Sequence, residues 1–235
     1  MKVNTDGVIL GAAMTILPGD RNVLDVGTGT GTIALMAAQR LTVLHDAGTI
    51  ADDVENGQFS VMAVEMDKAS AEEAAVNFYA SPWADKLHIC NTAFQEYTVG
   101  EECFDLICSN PPYFEASLKA PDYRRSHARH SDMLSYRELI NFSAGHLTET
   151  GRLSMILPAE QEPDVLRYAR MNGLFPSRLV YIRTVPRKTF SRIIVELSRS
   201  RSETHIKETL SIHNADGGYS SDYKTLMSDF LIIFQ

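Results

Sequence analysis

The sequence predicts an α/β chain built on a doubly wound, mostly parallel sheet with an antiparallel end. Three observations carry that expectation. The apolar run Val23-Leu24-Asp25-Val26 enters a glycine-rich turn, Gly27-Thr28-Gly29-Thr30-Gly31, and a helical stripe of Ile33, Leu35, Met36 and Ala37 follows it. From Val23 to Cys108 the pattern then runs strand, helix, strand, helix, strand, strand. Finally, the β-rich segments 178–183 and 192–197 are joined by a short basic link, which suits an antiparallel pair. At 235 residues and 44% hydrophobic content, one domain can bury a full core.

In chain order, Val8 to Met14 is apolar but far short of the roughly 20 residues a membrane span needs, so it predicts an amphipathic or buried helix near the glycine turn. Pro18-Gly19-Asp20 leads into the first strand. Leu41 to Gln58, with Asp46, Gly48, Asp52, Asp53, Glu55, Asn56 and Gly57, predicts a solvated loop inserted between helix and strand. Phe59 to Val64, Lys86 to Cys90 and Phe104 to Cys108 are the second to fourth strands. Leu134 to Leu147 has helical spacing, and Gly151 to Pro158 is a fifth strand stopped by proline. Val165 to Met171 predicts another helix. Lys207 to His213 predicts a short edge strand, and Tyr223 to Phe230 a terminal helix. The sheet should therefore hold seven main strands.

The chemistry is concentrated at two strand ends. Asn110-Pro111-Pro112-Tyr113 follows the fourth strand and combines an amide, rigid carbonyls and an aromatic face. An amino group conjugated to a ring needs two in-plane acceptors and a stacking surface. Asn110 Oδ1 and a carbonyl beside Pro111 provide the acceptors, and Tyr113 the surface. Gly29-Thr30-Gly31-Thr32-Ile33-Ala34 also fits a dinucleotide fingerprint, a weak signal alone. Asp25, however, would repel a pyrophosphate and would accept from an ammonium group such as the methionine end of S-adenosylmethionine presents. Glu65, at the end of the second strand, is placed for ribose hydroxyls.

Charge separates the two halves. The formal net charge is −8, yet residues 1–110 carry 5 basic and 16 acidic side chains, whereas residues 111–235 carry 17 and 14. Arg178, Arg183, Arg187, Lys188, Arg192, Arg199 and Arg201 stand against Glu196 alone, and a second cluster, Lys119, Arg124, Arg125, His127, Arg129 and His130, follows the Asn-Pro-Pro-Tyr turn. Basic clusters beside a base-binding turn suit an RNA or DNA substrate. Cys90, Cys103 and Cys108 form no C-x-x-C pair, which predicts reduced cytoplasmic thiols and no metal site.

Lys2 to Gly11, Asp25 to Gly31, Ser109 to Phe114, and Ala128-Arg129-His130 with Arg125 ahead of it resemble the bacterial tRNA1(Val) adenine-37 N6-methyltransferase family, as does the closing stretch Tyr219 to Phe230. The resemblance implies a Rossmann-like class I fold with an antiparallel end strand in one domain: an N-terminal helix over 1–18, a cofactor half over 19–110 and a substrate half over 111–235. It implies S-adenosylmethionine as cofactor, tRNA as partner, a monomer in the cytoplasm, and neither membrane nor metal. Asn110, Pro111, Pro112 and Tyr113 become the catalytic set. Lys2, Thr5, Asp6, Asp25, Gly27, Thr28, Gly29, Gly31, Glu65, Met66, Thr92, Ala93, Phe94 and Asn110 become cofactor-binding, and Phe114, Arg124, Arg125, Arg129, His130, Lys188 and Arg192 contact RNA. Ala93 stands where the family commonly has an aspartate for the cofactor adenine, which leaves the Phe94 backbone N–H, with Thr92 or Asn91, to that task. Members also usually carry a segment ahead of the Lys-Val motif, so an N-terminal piece is expected to be missing. The same Asn-Pro-Pro-Tyr turn serves glutamine N5-methylation of proteins, and a non-catalytic RNA-binding or assembly protein is the alternative from another class.

Overall fold

A computed structural model describes residues 4–46, 59–100, 102–112, 134–201 and 204–234. Eight strands form one sheet: β1 (Asn22–Val26), β2 (Ser60–Glu65), β3 (Leu87–Asn91), β4 (Phe104–Ser109), β5 (Leu147–Pro158), β6 (Phe175–Arg183), β7 (Arg192–Ser198) and β8 (Ile206–Ser211). Their order is β3-β2-β1-β4-β5-β7-β6-β8. Seven strands point one way, and β7 alone runs against them, hydrogen-bonded antiparallel to β5 and β6. The antiparallel strand is thus internal and not the end strand expected. The β6–β7 hairpin folds back into the gap beside β5, and β8 then adds parallel to β6 as an eighth strand.

Strands covered on both faces should be apolar nearly throughout, and β1 and β4 are. On one face pack α1 (Thr5–Ala13), α2 (Thr32–Asp46), α3 (Lys68–Tyr79) and α6 (Ser221–Met227); on the other lie α4 (Tyr136–His146) and α5 (Glu162–Met171). The helix α2 runs on to Asp46 and so takes in the first six residues of the segment expected as loop. Leu41 is fully buried on it, and the Thr42 hydroxyl donates to the Ala38 carbonyl at 2.9 Å. Strand β5 begins at Leu147 and not at Gly151, because Gly151 lets the chain pass close to β4: a Cβ there would meet the Phe104 carbonyl at 2.6 Å. Ser135 and Glu138 close a reciprocal capping box at the start of α4.

The helix α1 is buried almost all round, with seven of its nine residues inside, so it is the buried form of the two expected. Gly11 allows its approach to α2, since a Cβ there would meet Met36 Sδ at 2.7 Å. Its last carbonyls are orphaned by the helix geometry, and arginines from three elements satisfy them. Arg40 Nη1 donates to Gly11 and Met14, Arg178 Nη1 to Ala13 at 2.7 Å, and Arg152 to Thr15 through Nε and Nη2. Buried Asp20 and Glu196 balance the charge: Asp20 pairs with Arg152, and Glu196 pairs with Arg178 while accepting from the Thr15 N–H and hydroxyl.

Candidate active site

The C-terminal ends of β1, β2 and β4 meet on one edge of the sheet, where ligands of open α/β sheets bind. Gly27 and Thr28 both donate their N–H to the Val64 carbonyl at the end of β2, at 2.8 and 3.1 Å. Gly27 and Gly29 have φ of 72° and 59°, the left-handed region that a Cβ disfavours, so the chain reverses here without strain. On the other side, the buried Ser109 hydroxyl donates to the Val26 carbonyl at 2.7 Å, which latches the end of β4 and hence Asn110 beside the glycine loop.

A cavity of about 500 Å³ lies at this junction, within the usual range for a cofactor site. Of the residues expected to bind cofactor, Gly27, Thr28, Gly29, Glu65, Met66, Thr92, Phe94 and Asn110 line it, and so does Pro112 of the expected catalytic set. Glu65 also builds the wall: its Oε2 accepts from the Gly29 N–H at 2.9 Å and its Oε1 from the Asp67 N–H at 2.8 Å. Thr92 donates its N–H to the Glu65 carbonyl, and Asn91 Nδ2 donates to the carbonyls of Glu65 and Met66, so β3 fixes the same turn.

Asp25, expected to reach an ammonium group directly, is fully buried and outside the cavity wall. Its Oδ2 accepts from the Thr28 hydroxyl at 2.5 Å and from the Ala34 N–H at 3.1 Å, and Cys108 Sγ lies 3.8 Å from Oδ1. It is a strut that ties the glycine loop to α2. Burial raises its carboxyl to about 6, and the hydrogen bonds from Thr28, Ala34 and Cys108 only partly oppose that rise. Gly31 is likewise outside the wall: its φ is 88° and a Cβ would meet Phe78 at 2.4 Å, so it serves α2–α3 packing. Thr5, Asp6, Ala93 and Pro111 do not line the cavity either. Lys2, Tyr113, Phe114, Arg124, Arg125, Arg129 and His130 lie outside the described residues.

Other residues complete the wall: Asn4, Gly7, Thr30, Thr32, Ile33, Val64, Asp67, Ser70, Gln95 and Leu134. Asn4 and Gly7 had a signal in sequence, since with Gly11 they share one helical face at i, i+3 and i+7. A Cβ on Gly7 would come within 3.7 Å of Asn110 Nδ2, so α1 roofs the Asn-Pro-Pro segment. The lining holds the carboxylates of Glu65 and Asp67, apolar Ile33, Val64, Met66 and Phe94, and no Lys, Arg or His among the described residues. Hydrogen bonds from Ser70 hold the Asp67 carboxyl below its ordinary range, so it stays an anion. That donor set suits a cationic nucleoside such as S-adenosylmethionine better than a pyrophosphate.

The basic run splits. Arg192, expected to contact RNA, donates from Nε to Asp6 Oδ2 at 2.8 Å and so joins β7 to the first turn of α1, with a third of its side chain still exposed. Arg178 is paired with Glu196 and Glu208. Arg199 and Arg201 follow the far end of β7, whereas Arg187 and Lys188 are exposed on the β6–β7 hairpin, at the end of the sheet where β5 finishes. Among the described residues, no group of three or more His, Cys, Asp or Glu is placed to hold a metal ion, and no helix is long and apolar enough to cross a membrane.

Residues 9–176 match the family described as methyltransferase small domain. A protein of Parabacteroides distasonis is 36% identical over 233 residues, covering 99% of this chain and 91% of its own, and one of Porphyromonas gingivalis is 38% identical over 240 residues, covering 98% and 88%. A third, from Bacteroides thetaiotaomicron, is 37% identical over 232 residues, covering 99% and 91%. All three are named tRNA1(Val) (adenine(37)-N6)-methyltransferase. The fold is shared with an Agrobacterium tumefaciens structure described as a predicted O-methyltransferase, at TM-score 0.67 and 15% identity over 95% of this chain and 96% of the other. It is also shared with the ribosomal protein L11 methylase of Lactobacillus delbrueckii subsp. bulgaricus, at TM-score 0.52 and 20% identity over 83% and 77%.

Proposed function

Because the chain belongs to the methyltransferase small-domain family, and within it to the tRNA1(Val) adenine-37 N6-methyltransferases, we propose that it methylates N6 of adenine 37, beside the anticodon of tRNA1(Val), in the cytoplasm. The observation that carries this is the Ser109 latch that sets Asn110 and Pro112 against a cavity roofed by Asn4 and Gly7, whose lining among the described residues holds carboxylates and no Lys, Arg or His. S-Adenosylmethionine supplies a methyl group on a sulfonium, electrophilic without metal or covalent help. In this reading Glu65 takes its ribose hydroxyls, Asp67 and the loop of Gly27 to Thr30 its polar ends, and Ile33, Val64, Met66 and Phe94 its apolar parts, which their shared place in the cavity wall supports.

Asn110 Oδ1 and the Pro111 carbonyl accept from the two N6 hydrogens, which favours the pyramidal nitrogen that exists only near the transition state. Tyr113 and Phe114 stack on and behind the base in this assignment. The target nucleotide leaves its stack in the anticodon loop, at a cost of a few kcal/mol that stacking and phosphate contacts offset. The protein acts as a monomer and without a metal.

The test is incubation of the full chain with labelled S-adenosylmethionine and total tRNA, followed by identification of the modified nucleoside and its position. N6-methyladenosine at position 37 of tRNA1(Val) is the expected product. Label in protein glutamine and none in RNA overturns the assignment. Asn110→Ala should abolish turnover while cofactor affinity stays within a few-fold; normal turnover by that variant overturns the mechanism.

A further inference from the structure

The β6–β7 hairpin holds an aromatic ring that the catalytic assignment does not use. Phe190 is exposed at 36% although its neighbours fix it. The Arg183 guanidinium lies over its ring at 5.1 Å, and the Tyr181 ring packs beside it at 5.4 Å with a 50° tilt. Both supports are themselves held: Arg183 Nε donates to the Ser211 hydroxyl at 2.9 Å, and the Tyr181 hydroxyl donates to Glu162 Oε1 at 2.9 Å. The hairpin backbone is pinned as well, by Ser191 N–H to the Ile182 carbonyl and His213 N–H to the Thr184 carbonyl. A large apolar ring held rigidly in water is a platform for something flat.

Topology puts this platform beside the reaction centre. Arg192, two residues after Phe190, pairs with Pro158 at the end of β5, and β5 lies next to β4, whose last residue precedes Asn110. Two strand spacings are roughly 10 Å sideways, and the register, Ser109 opposite Met155 and Arg192 opposite Pro158, carries Phe190 about four residues further along the strands, so the ring stands about 16 Å from Asn110, a span of two or three nucleotides. Arg187 and Lys188, on the same hairpin, are exposed and pair with no carboxylate among the described residues. A ring flanked by free cations matches an unpaired nucleotide, base on the ring and phosphates on the cations. A protein partner would need a contiguous apolar patch of hundreds of Å², and a single ring does not provide one.

Building on the assignment of an RNA substrate, we infer that Phe190, backed by Arg183, stacks an unpaired base of the same loop two or three nucleotides from the target adenine, so that the β6–β7 hairpin holds the opened loop while the target is turned into the cavity. The platform acts on substrate binding and leaves cofactor binding alone.

The experiment uses the full chain with a synthetic anticodon stem-loop and a set of analogues, each abasic at one loop position other than the target. Phe190→Ala should raise KM for the intact stem-loop about ten-fold, the loss of one base–aromatic stack, with kcat and S-adenosylmethionine affinity within two-fold. Phe190→Trp should restore KM. One abasic position should raise KM for the native protein by the same factor and add nothing to Phe190→Ala, the signature of a shared contact. An unchanged KM for Phe190→Ala overturns the platform, as does an equal penalty from every abasic position in both proteins. If the native protein methylates tRNA while Phe190→Ala is indistinguishable from it, only the platform falls. If the native protein methylates no RNA, the assignment beneath it falls too.

Discussion

Arg152 and Arg187 carry the same charge into opposite surroundings. Arg152 is 5% exposed beneath the C-terminal end of α1, with Asp20 paired to it and the Thr15 carbonyl accepting two of its hydrogens. Arg187 stands in solvent on the β6–β7 hairpin. Deep inside, an arginine is held because its five donors meet orphaned carbonyls and carboxylates in fixed directions. At the hairpin, Arg187 and Lys188 are exposed and pair with no carboxylate among the described residues. Charge alone therefore says little about what a basic residue does here; the elements brought around it decide.

Breaking the buried side of that contrast gives the largest expected effect. Arg152→Ala leaves Asp20 buried without its counter-ion and should destabilise the protein by about 3–5 kcal/mol in urea titrations, with weaker cofactor binding because α1 loosens. A loss below about 1 kcal/mol would mean that this cluster does not hold the helix. Asp25 gives the next effect, and a pH-dependent one. At pH 3 its carboxyl is protonated whether the chain is folded or not. Between about pH 4 and 6 the unfolded chain releases the proton first, so folding is increasingly opposed, by about 2–3 kcal/mol in full above pH 6. The difference in stability between Asp25→Asn and the native protein should therefore move in the variant's favour by about that amount from pH 3 to pH 7. A difference that is flat with pH would contradict the strut.

The exposed side should respond in rate and not in stability. Arg187→Ala with Lys188→Ala should leave unfolding free energy within about 0.5 kcal/mol of the native value. The slope of log kcat/KM for tRNA against log salt should become shallower by about 1.4, two charges at the single-strand value. An unchanged slope would place the RNA elsewhere. The smallest effect belongs to Lys68 and Glu72, an i,i+4 pair at 3.7 Å with both side chains largely exposed, where Lys68→Ala should cost no more than about 0.5 kcal/mol.

These contrasts explain what the sequence could disclose. The glycine loop and Asn110-Pro111-Pro112 were legible because their chemistry is written in consecutive residues, and β1 and β4 because strands covered on both faces need nearly unbroken apolar runs. Asp25 was legible as important but misplaced: its direction depends on how Thr28 and Ala34 curl back over β1, which no spacing reveals. The carboxylates that pair with two arginines of the basic run were out of sight, Asp6 lying 186 residues from Arg192 and Glu208 on an edge strand 30 residues after Arg178. Gly31 looked like a ligand glycine, but Phe78 fills the space beside it. Phe190 stayed invisible because exposure of a single ring is a tertiary property.

The clamp on α1 also sets an order of assembly. Its anchors include Arg152, Arg178 and Glu196, reached across 137, 165 and 181 residues of chain. On a ribosome that makes about 5–20 residues each second, the glycine loop emerges early, yet the roof provided by Asn4 and Gly7 must wait until β7 has been made. A nascent chain stalled before residue 192 holds every piece of the glycine turn and no finished site. Competence to take the methyl donor thus waits on β7, a built-in check that the strands from β1 to β7 are together before the enzyme can act.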